Sequence, residues 1–205
     1  MPWLTGTAFL HSVMIQEKRG MLKHWNMILI ILTFDLVIFG TFLTRSGVLS
    51  SVHAFAQSEI GPLFFTFIGF IFFASFGLLT KRWADLKAET EMKSMLSKEA
   101  LFLLNNLLFL SLLVISFWGV IFPLLSELFT GSKVSVGPPF YERATGPIWG
   151  ALMLLMGVAP LSAWGISTFK TLGRSIWKPA LASLIAPIWA ISVGITNWVA
   201  LIGFT

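Results

Sequence analysis

Cysteine is absent from all 205 residues, which removes disulfides, zinc–thiolate sites and covalent haem attachment through a Cys-x-x-Cys-His motif in this chain. Charge is nearly as scarce. Asp, Glu, Lys and Arg make up 11% of the chain, less than half of the roughly one-quarter found in soluble domains. Histidine occurs three times, and HExxH, GxSxG, Gly-rich phosphate-loop and paired-carboxylate patterns are all missing. These shortages exclude a soluble enzyme, a disordered chain and a secreted disulfide scaffold. What is present is apolar: 56% hydrophobic residues, twenty Phe, nine Trp and a mean hydropathy of +0.85. Such a chain takes a bilayer as its solvent.

A helix needs about 20 apolar residues to cross a hydrocarbon core. Runs of that kind predict transmembrane helices over 25–45, 61–79, 100–125, 146–169 and 179–204. No alternation of period two competes with them, so the fold class is all-α, a polytopic helical membrane protein rather than a barrel. Lys and Arg set the orientation, because cytoplasmic loops retain them. Eleven of the fourteen fall at Lys18, Arg19 and Lys23, at Lys81, Arg82, Lys87, Lys93 and Lys98, and at Lys170, Arg174 and Lys178. Only Arg45, Lys133 and Arg143 fall on the other side. Segments 46–60 and 126–145 are therefore expected outside, and 80–99 as a cytoplasmic connector. The net charge of +5 records topology and not a nucleic-acid surface. Residues 2–16 are apolar but too few for a full span, so the chain is expected to begin within a truncated membrane helix. Residues 83–99 hold the one long charged stretch, which reads as a solvated connector or a short helix on the membrane surface.

Polar residues in apolar helices narrow the search for chemistry. His11 lies six residues before Glu17, roughly 9 Å below the cytoplasmic boundary at 1.5 Å per residue. A neutral imidazole there serves either as a metal ligand or as one end of an interhelical hydrogen bond, for instance to Ser or Thr. His53 follows the external Arg45 in a segment whose Val48, Val52, Phe55 and Ala56 share a helical face. It is an external ligand or an ordinary interfacial residue. His24 sits among cytoplasmic charges and reads as solvated. Asp35 stands mid-span, where a bare carboxylate costs about 2.5–3.5 kcal/mol on insertion scales, and is expected to be protonated or hydrogen-bonded within the bundle. Asn105, Asn106 and Asn197 carry the same expectation of interhelical bonding. Arg45 pairs with an anionic ligand or snorkels to lipid phosphate.

Three blocks, WLTGTAFLHSVMIQEKRGMLKHWN, GTFLTRSGVLSSVHAFA and VSVGPPFYERATGP, resemble in order and spacing the haem-handling core of the CcmF family, the haem lyase subunits of cytochrome c maturation. The paralogue dedicated to nitrite reductase is similarly close. The resemblance implies a polytopic protein of the cell inner (plasma) membrane, with its haem chemistry on the outer, periplasmic face. It implies a b-type haem within the membrane between two His ligands, and a transient haem substrate held at the outer face between two more. That second haem arrives with a haem chaperone and is joined to the Cys-x-x-Cys-His thiols of apocytochrome c, with other cytochrome c maturation subunits as partners and lipid around the whole.

By position, His11 resembles the intramembrane haem-iron ligand, His53 resembles an external haem-iron ligand, and Arg45 becomes a candidate propionate partner. The partner ligands are expected outside this sequence, upstream of Pro2 and beyond Thr205, as is most of a tryptophan-rich segment that ends at Pro2-Trp3-Leu4. The expectation is therefore a fragment of a protein about three times longer, inactive alone, with one ligand from each of two haem sites. No catalytic residue is assignable, and the resemblance gives Asp35 no role. The competing readings are a haem carrier or exporter without ligation chemistry, and a proton-coupled transporter using Asp35.

Overall fold

In the computed structural model, residues 1–46, 60–132, 134–197 and 201 are described. Helices occupy Pro2–Arg19 (α1), Lys23–Arg45 (α2), Ile60–Lys81 (α3), Lys98–Thr130 (α4), Pro138–Val158 (α5), Phe169–Ser183 (α6) and Ile185–Ser192 (α7), with single 3₁₀ turns at Trp83–Leu86 and Ala159–Leu161. The described residues contain no strand. Four helices are long and apolar enough to cross a membrane: Lys23–Arg45, Gly61–Lys81, Lys98–Thr130 and Pro138–Leu161. The chain is a multi-pass helical membrane protein.

Two expected spans are corrected. The helix expected over 146–169 begins at Pro138 and ends at Val158. Proline is favoured at a first helical position because its missing N–H has no partner to lose there, so Pro138 and Pro139 open the helix. Pro160 closes it by withholding an N–H, and the chain tightens into the 3₁₀ turn Ala159–Leu161. The single helix expected over 179–204 is replaced by α6 and α7. Thr168 caps α6, its hydroxyl accepting from the Thr171 N–H at 3.3 Å. Lys170, Arg174 and Lys178 are four residues apart and share one face, with Leu172 and Ile176 on the other. Pro187 cannot donate to the Ser183 carbonyl, which parts α6 from α7, and Gly194 at φ +92 ends α7. The charged stretch is a 3₁₀ turn followed by irregular chain, and α1 runs to Arg19, three residues beyond its expected end. Segment 46–60 lies almost wholly outside the described residues.

The chain divides into two compact units. The first holds Met1–Glu91 and Phe102–Met153. Within it α1 and α2 form an antiparallel hairpin across a three-residue turn, tied by Thr33 Oγ1 donating to Thr5 Oγ1 at 2.8 Å and Asn26 Nδ2 donating to Gln16 Oε1 at 2.6 Å. Leu4 and Ala8 of α1, Leu29 of α2, Phe109 and Leu112 of α4 and Leu152 of α5 make its core. α3 packs on α2 through Phe42 and Phe65, whose rings lie 5.9 Å apart. Most of its other aromatic rings are exposed, Phe73 at 75%, an arrangement that lipid tolerates as readily as a protein neighbour.

The second unit holds Met92–Leu101 and Leu154–Thr205. Its two connecting stretches are laced by hydrogen bonds. Ser94 Oγ donates to the Ser167 carbonyl at 2.8 Å, the Lys98 N–H donates to the Ala163 carbonyl at 2.9 Å, and Ser162 Oγ donates to the Leu96 carbonyl. The buried Glu99 carboxylate accepts the Gly165 N–H on both oxygens, at 2.9 and 3.0 Å.

The α1–α2 turn is where the first unit's backbone is under most constraint. Gly20 is left-handed at φ +63, and its N–H donates to the Gln16 carbonyl at 2.8 Å. Glu89 N–H donates to the Gly20 carbonyl at 3.1 Å, Thr90 Oγ1 to the Arg19 carbonyl at 2.6 Å, and Lys23 Nζ meets Glu89 Oε1 at 2.6 Å. A Cβ on Gly20 would also come within 2.6 Å of the Glu89 carboxylate. Gly20→Ala is expected to cost about 1–2 kcal/mol from the left-handed conformation alone. Leu22, left-handed at φ 62 with a side chain, is the opposite case, and Leu22→Gly is expected to stabilise. Thermal unfolding of the two variants in detergent reads both signs. The Lys23 ammonium holds the Glu89 carboxyl below its usual value, by hydrogen bond and by charge. The contribution of this exposed pair is therefore present above the ordinary Glu pKa of about 4.3 and lost as pH falls through and below it. Amide exchange at residues 89–90 is expected to quicken over that acid range and to stay flat in Lys23→Gln.

Candidate functional site

His11 stands on α1 and faces α4. Its register on α2 follows from the Thr5–Thr33 and Gln16–Asn26 bonds, which put it level with the turn around Leu29. Both neighbours, α2 and α4, belong to the helices long and apolar enough to cross a membrane. The ring is half-buried between two aromatic side chains. Phe102 stacks on it at 5.7 Å with a 12° interplanar angle, and Phe109 lies tilted at 6.0 Å. Between those two Phe on the same helical face is Asn105, whose Nδ2 sits 2.7 Å from His11 Nδ1. Positions 102, 105 and 109 recur at helical spacing, so one stripe of α4 supplies both walls and the hydrogen bond.

This fixes what the imidazole can do. Nδ1 is committed to Asn105, and Nε2 makes no hydrogen bond among the described residues. A histidine used as a metal ligand shows this division of labour, one ring nitrogen on the protein and the other on the metal. The site fits a haem-iron ligand in kind: a neutral-capable imidazole, flanked by two aromatic rings, inside an apolar bundle. It also realises the alternative expected for His11, an interhelical hydrogen bond, with Asn105 as the partner in place of Ser or Thr. No three His, Asp or Glu side chains gather into a metal-ion cluster among the described residues.

The remaining candidates fall elsewhere. Arg45 is exposed at the C-terminal end of α2. It lies about fifteen residues beyond the level of His11, roughly 22 Å along the helix, so the two do not share a site. His53 lies outside the described residues. His24 stacks on Trp83 at 3.9 Å, and its Nε2 meets the Trp83 carbonyl at 2.7 Å, which occupies it structurally. Asp35 is buried, and neither carboxylate oxygen has a hydrogen-bond partner among the described residues. The same holds for both amide atoms of Asn106, so the expected interhelical bonds form at Asn105 and not at these two. An open cleft of about 620 Å³ at the end of α1 is lined by charged ends including Lys18, Arg19, Lys23 and Glu89, and contains no histidine. Asn105 was legible as a bonding residue, whereas the Phe102 and Phe109 walls carried no signal in a sequence with twenty Phe.

No protein-family model matches the chain. Individual relatives do. It is 37% identical over 207 residues to the cytochrome c-type biogenesis protein CcmF of Pseudomonas aeruginosa, covering 100% of this chain and 31% of that one. It is 38% identical over 185 residues to the probable cytochrome c-type biogenesis protein NrfE of Escherichia coli, covering 89% of this chain and 32% of that one. Among solved structures it superposes on cytochrome c haem lyase CcmF with a TM-score of 0.72 and 29% identity, over 99% of this chain and 29% of the other. The chain thus spans about three-tenths of the length of the curated relatives it matches. An alignment over nearly the whole chain and a shared helical fold converge: this chain belongs to the CcmF family of cytochrome c-type biogenesis proteins.

Proposed function

We propose that this chain is the part of a cytochrome c haem lyase that would contribute one histidine ligand to each of two haem sites. His11 binds a resident b-type haem within the membrane, and His53 binds the haem substrate at the outer face. The observation that carries the reading is the His11 ring, flanked by Phe102 and Phe109, with Nδ1 bonded to Asn105 and Nε2 without a partner among the described residues. The Lys and Arg distribution supports a place in the inner membrane with segment 46–60 on the periplasmic side. Arg45, in the last turn of α2, remains the candidate partner for a propionate of the substrate haem, and its distance along the helix from His11 argues against its serving the inner one.

The resident haem supplies one-electron redox chemistry, tuned by its axial ligands and the polarity around it. The protein's own contribution is rigidity and exclusion of water. Leu4, Ala8, Leu29, Phe109, Leu112 and Leu152 close the bundle beside His11, and without cysteine the chain itself forms no thioether to haem. At the outer face the reaction is addition of a cysteine S–H across a vinyl double bond. The sulfur bonds to one vinyl carbon, the proton goes to the other, and no electrons are gained or lost. Such an addition is limited by placing thiol and vinyl together, which is the service a ligand such as His53 provides. The partners on this reading are haem, a haem chaperone, apocytochrome c and other maturation subunits.

In the full-length protein purified in detergent, His11→Ala is expected to abolish the bis-histidine b-type Soret and α bands, read by absorbance. In cells, His53→Ala is expected to cut holocytochrome c yield while leaving that b-haem in place. Haem export that persists in the His53 variant while thioether formation stops marks a lyase and not a carrier. Asp35→Asn, which removes a buried carboxylate without changing its volume, is expected to leave the yield unchanged. A loss there favours the proton-coupled reading instead.

A further inference from the structure

The proton of a neutral imidazole sits on whichever ring nitrogen its neighbour requires, and the other nitrogen then carries the free lone pair. At His11 the neighbour is Asn105, 94 residues away in sequence and 2.7 Å away in space. A carboxamide offers two faces of equal size: an NH2 that donates and an oxygen that accepts. With the NH2 turned to His11, Asn105 donates to Nδ1, and the ring proton goes to Nε2. That tautomer has no lone pair for iron. With the amide turned half a revolution, the same volume is filled, Nδ1–H donates to Asn105 Oδ1, and Nε2 is free to coordinate.

We propose that Asn105 is the positioning residue for the intramembrane haem ligand: its carboxamide oxygen holds the His11 proton on Nδ1 and so presents the Nε2 lone pair to iron. The inference rests on the ligand reading of His11 given above. Three observations support it besides the distance. Phe102 and Phe109 flank the ring from positions on either side of Asn105. The bond joins α1 to α4, so it fixes the ligand against a second helix and not merely within its own. The adjacent Asn106 is fully buried without a hydrogen bond among the described residues, so a nearby amide alone does not make this contact. An uncharged acceptor here also leaves the ligand a neutral imidazole, whereas a carboxylate would push it toward imidazolate and favour ferric iron.

The test uses the full-length haem-loaded protein in detergent, with His11→Ala as the reference, Asn105→Leu to delete the bond and Asn105→Asp to keep the shape with a stronger acceptor. The readouts are transfer of the b-haem to apomyoglobin and a spectroelectrochemical titration of its α band. Asn105→Leu is expected to weaken haem retention by about 10–100-fold, the range for losing a partner behind a metal ligand. Asn105→Asp is expected to retain haem and to titrate at a lower potential than the unmodified protein. A purely structural bond would not predict that shift. If His11→Ala loses the b-haem while both Asn105 variants keep the parent's retention and potential, the role of Asn105 is overturned and the ligand reading stands. If His11→Ala keeps the b-haem unchanged, the ligand reading fails and this inference fails with it.

Discussion

A polar side chain in an apolar bundle finds its hydrogen-bond partner on its own helix or on a neighbouring one, since lipid offers none. The first unit is organised by that constraint. Three polar contacts run down the length of α1: Thr5 to Thr33, His11 to Asn105, and Gln16 to Asn26. The outer two register α1 on α2, and the middle one fixes it to α4. Hydrophobic contact alone does not fix register so closely, because sliding one apolar face over another costs little where lipid is equally apolar. The polar contacts set the register, and the Leu4, Ala8, Leu29 and Phe109 layer then packs within it.

The same constraint separates the groups built for bonding from those that are not. His11 has Nδ1 bonded to Asn105, while its Nε2 meets no partner among the described residues. Asp35 and Asn106 are buried with nothing to bond to among the described residues, a costly state that the surrounding apolar packing holds in place. His24, outside the apolar layer, is taken up by the ring and carbonyl of Trp83. Chemically similar residues thus come to different uses through their depth and their neighbours.

Legibility in the sequence followed the physical signal. The spans beginning near Lys23, Gly61 and Lys98 were readable because apolar length and flanking charge both mark them. The last third was harder. Lys170, Arg174 and Lys178 read as loop charges until their four-residue spacing is placed on a capped helix, and Pro187 and Gly194 break what hydropathy joins. Hydropathy averages over a window, whereas proline and glycine act at single backbone positions. At the site, the ligand-type residue and its amide partner were visible as polar intruders, but nothing in the sequence paired residues 11 and 105.

The sequence alone determined the solvent and the helical class, because these follow from composition and from where charge is absent. It also carried the family resemblance, since GTFLTRSGVLSSVHAFA and its neighbouring blocks are long and ordered. Tertiary structure decided which ring nitrogen of His11 is bonded, which two Phe of twenty flank it, and that Arg45 lies at a level of α2 far from it. Those are properties of contacts between helices distant in sequence, and only the packing of α1 against α2 and α4 creates them.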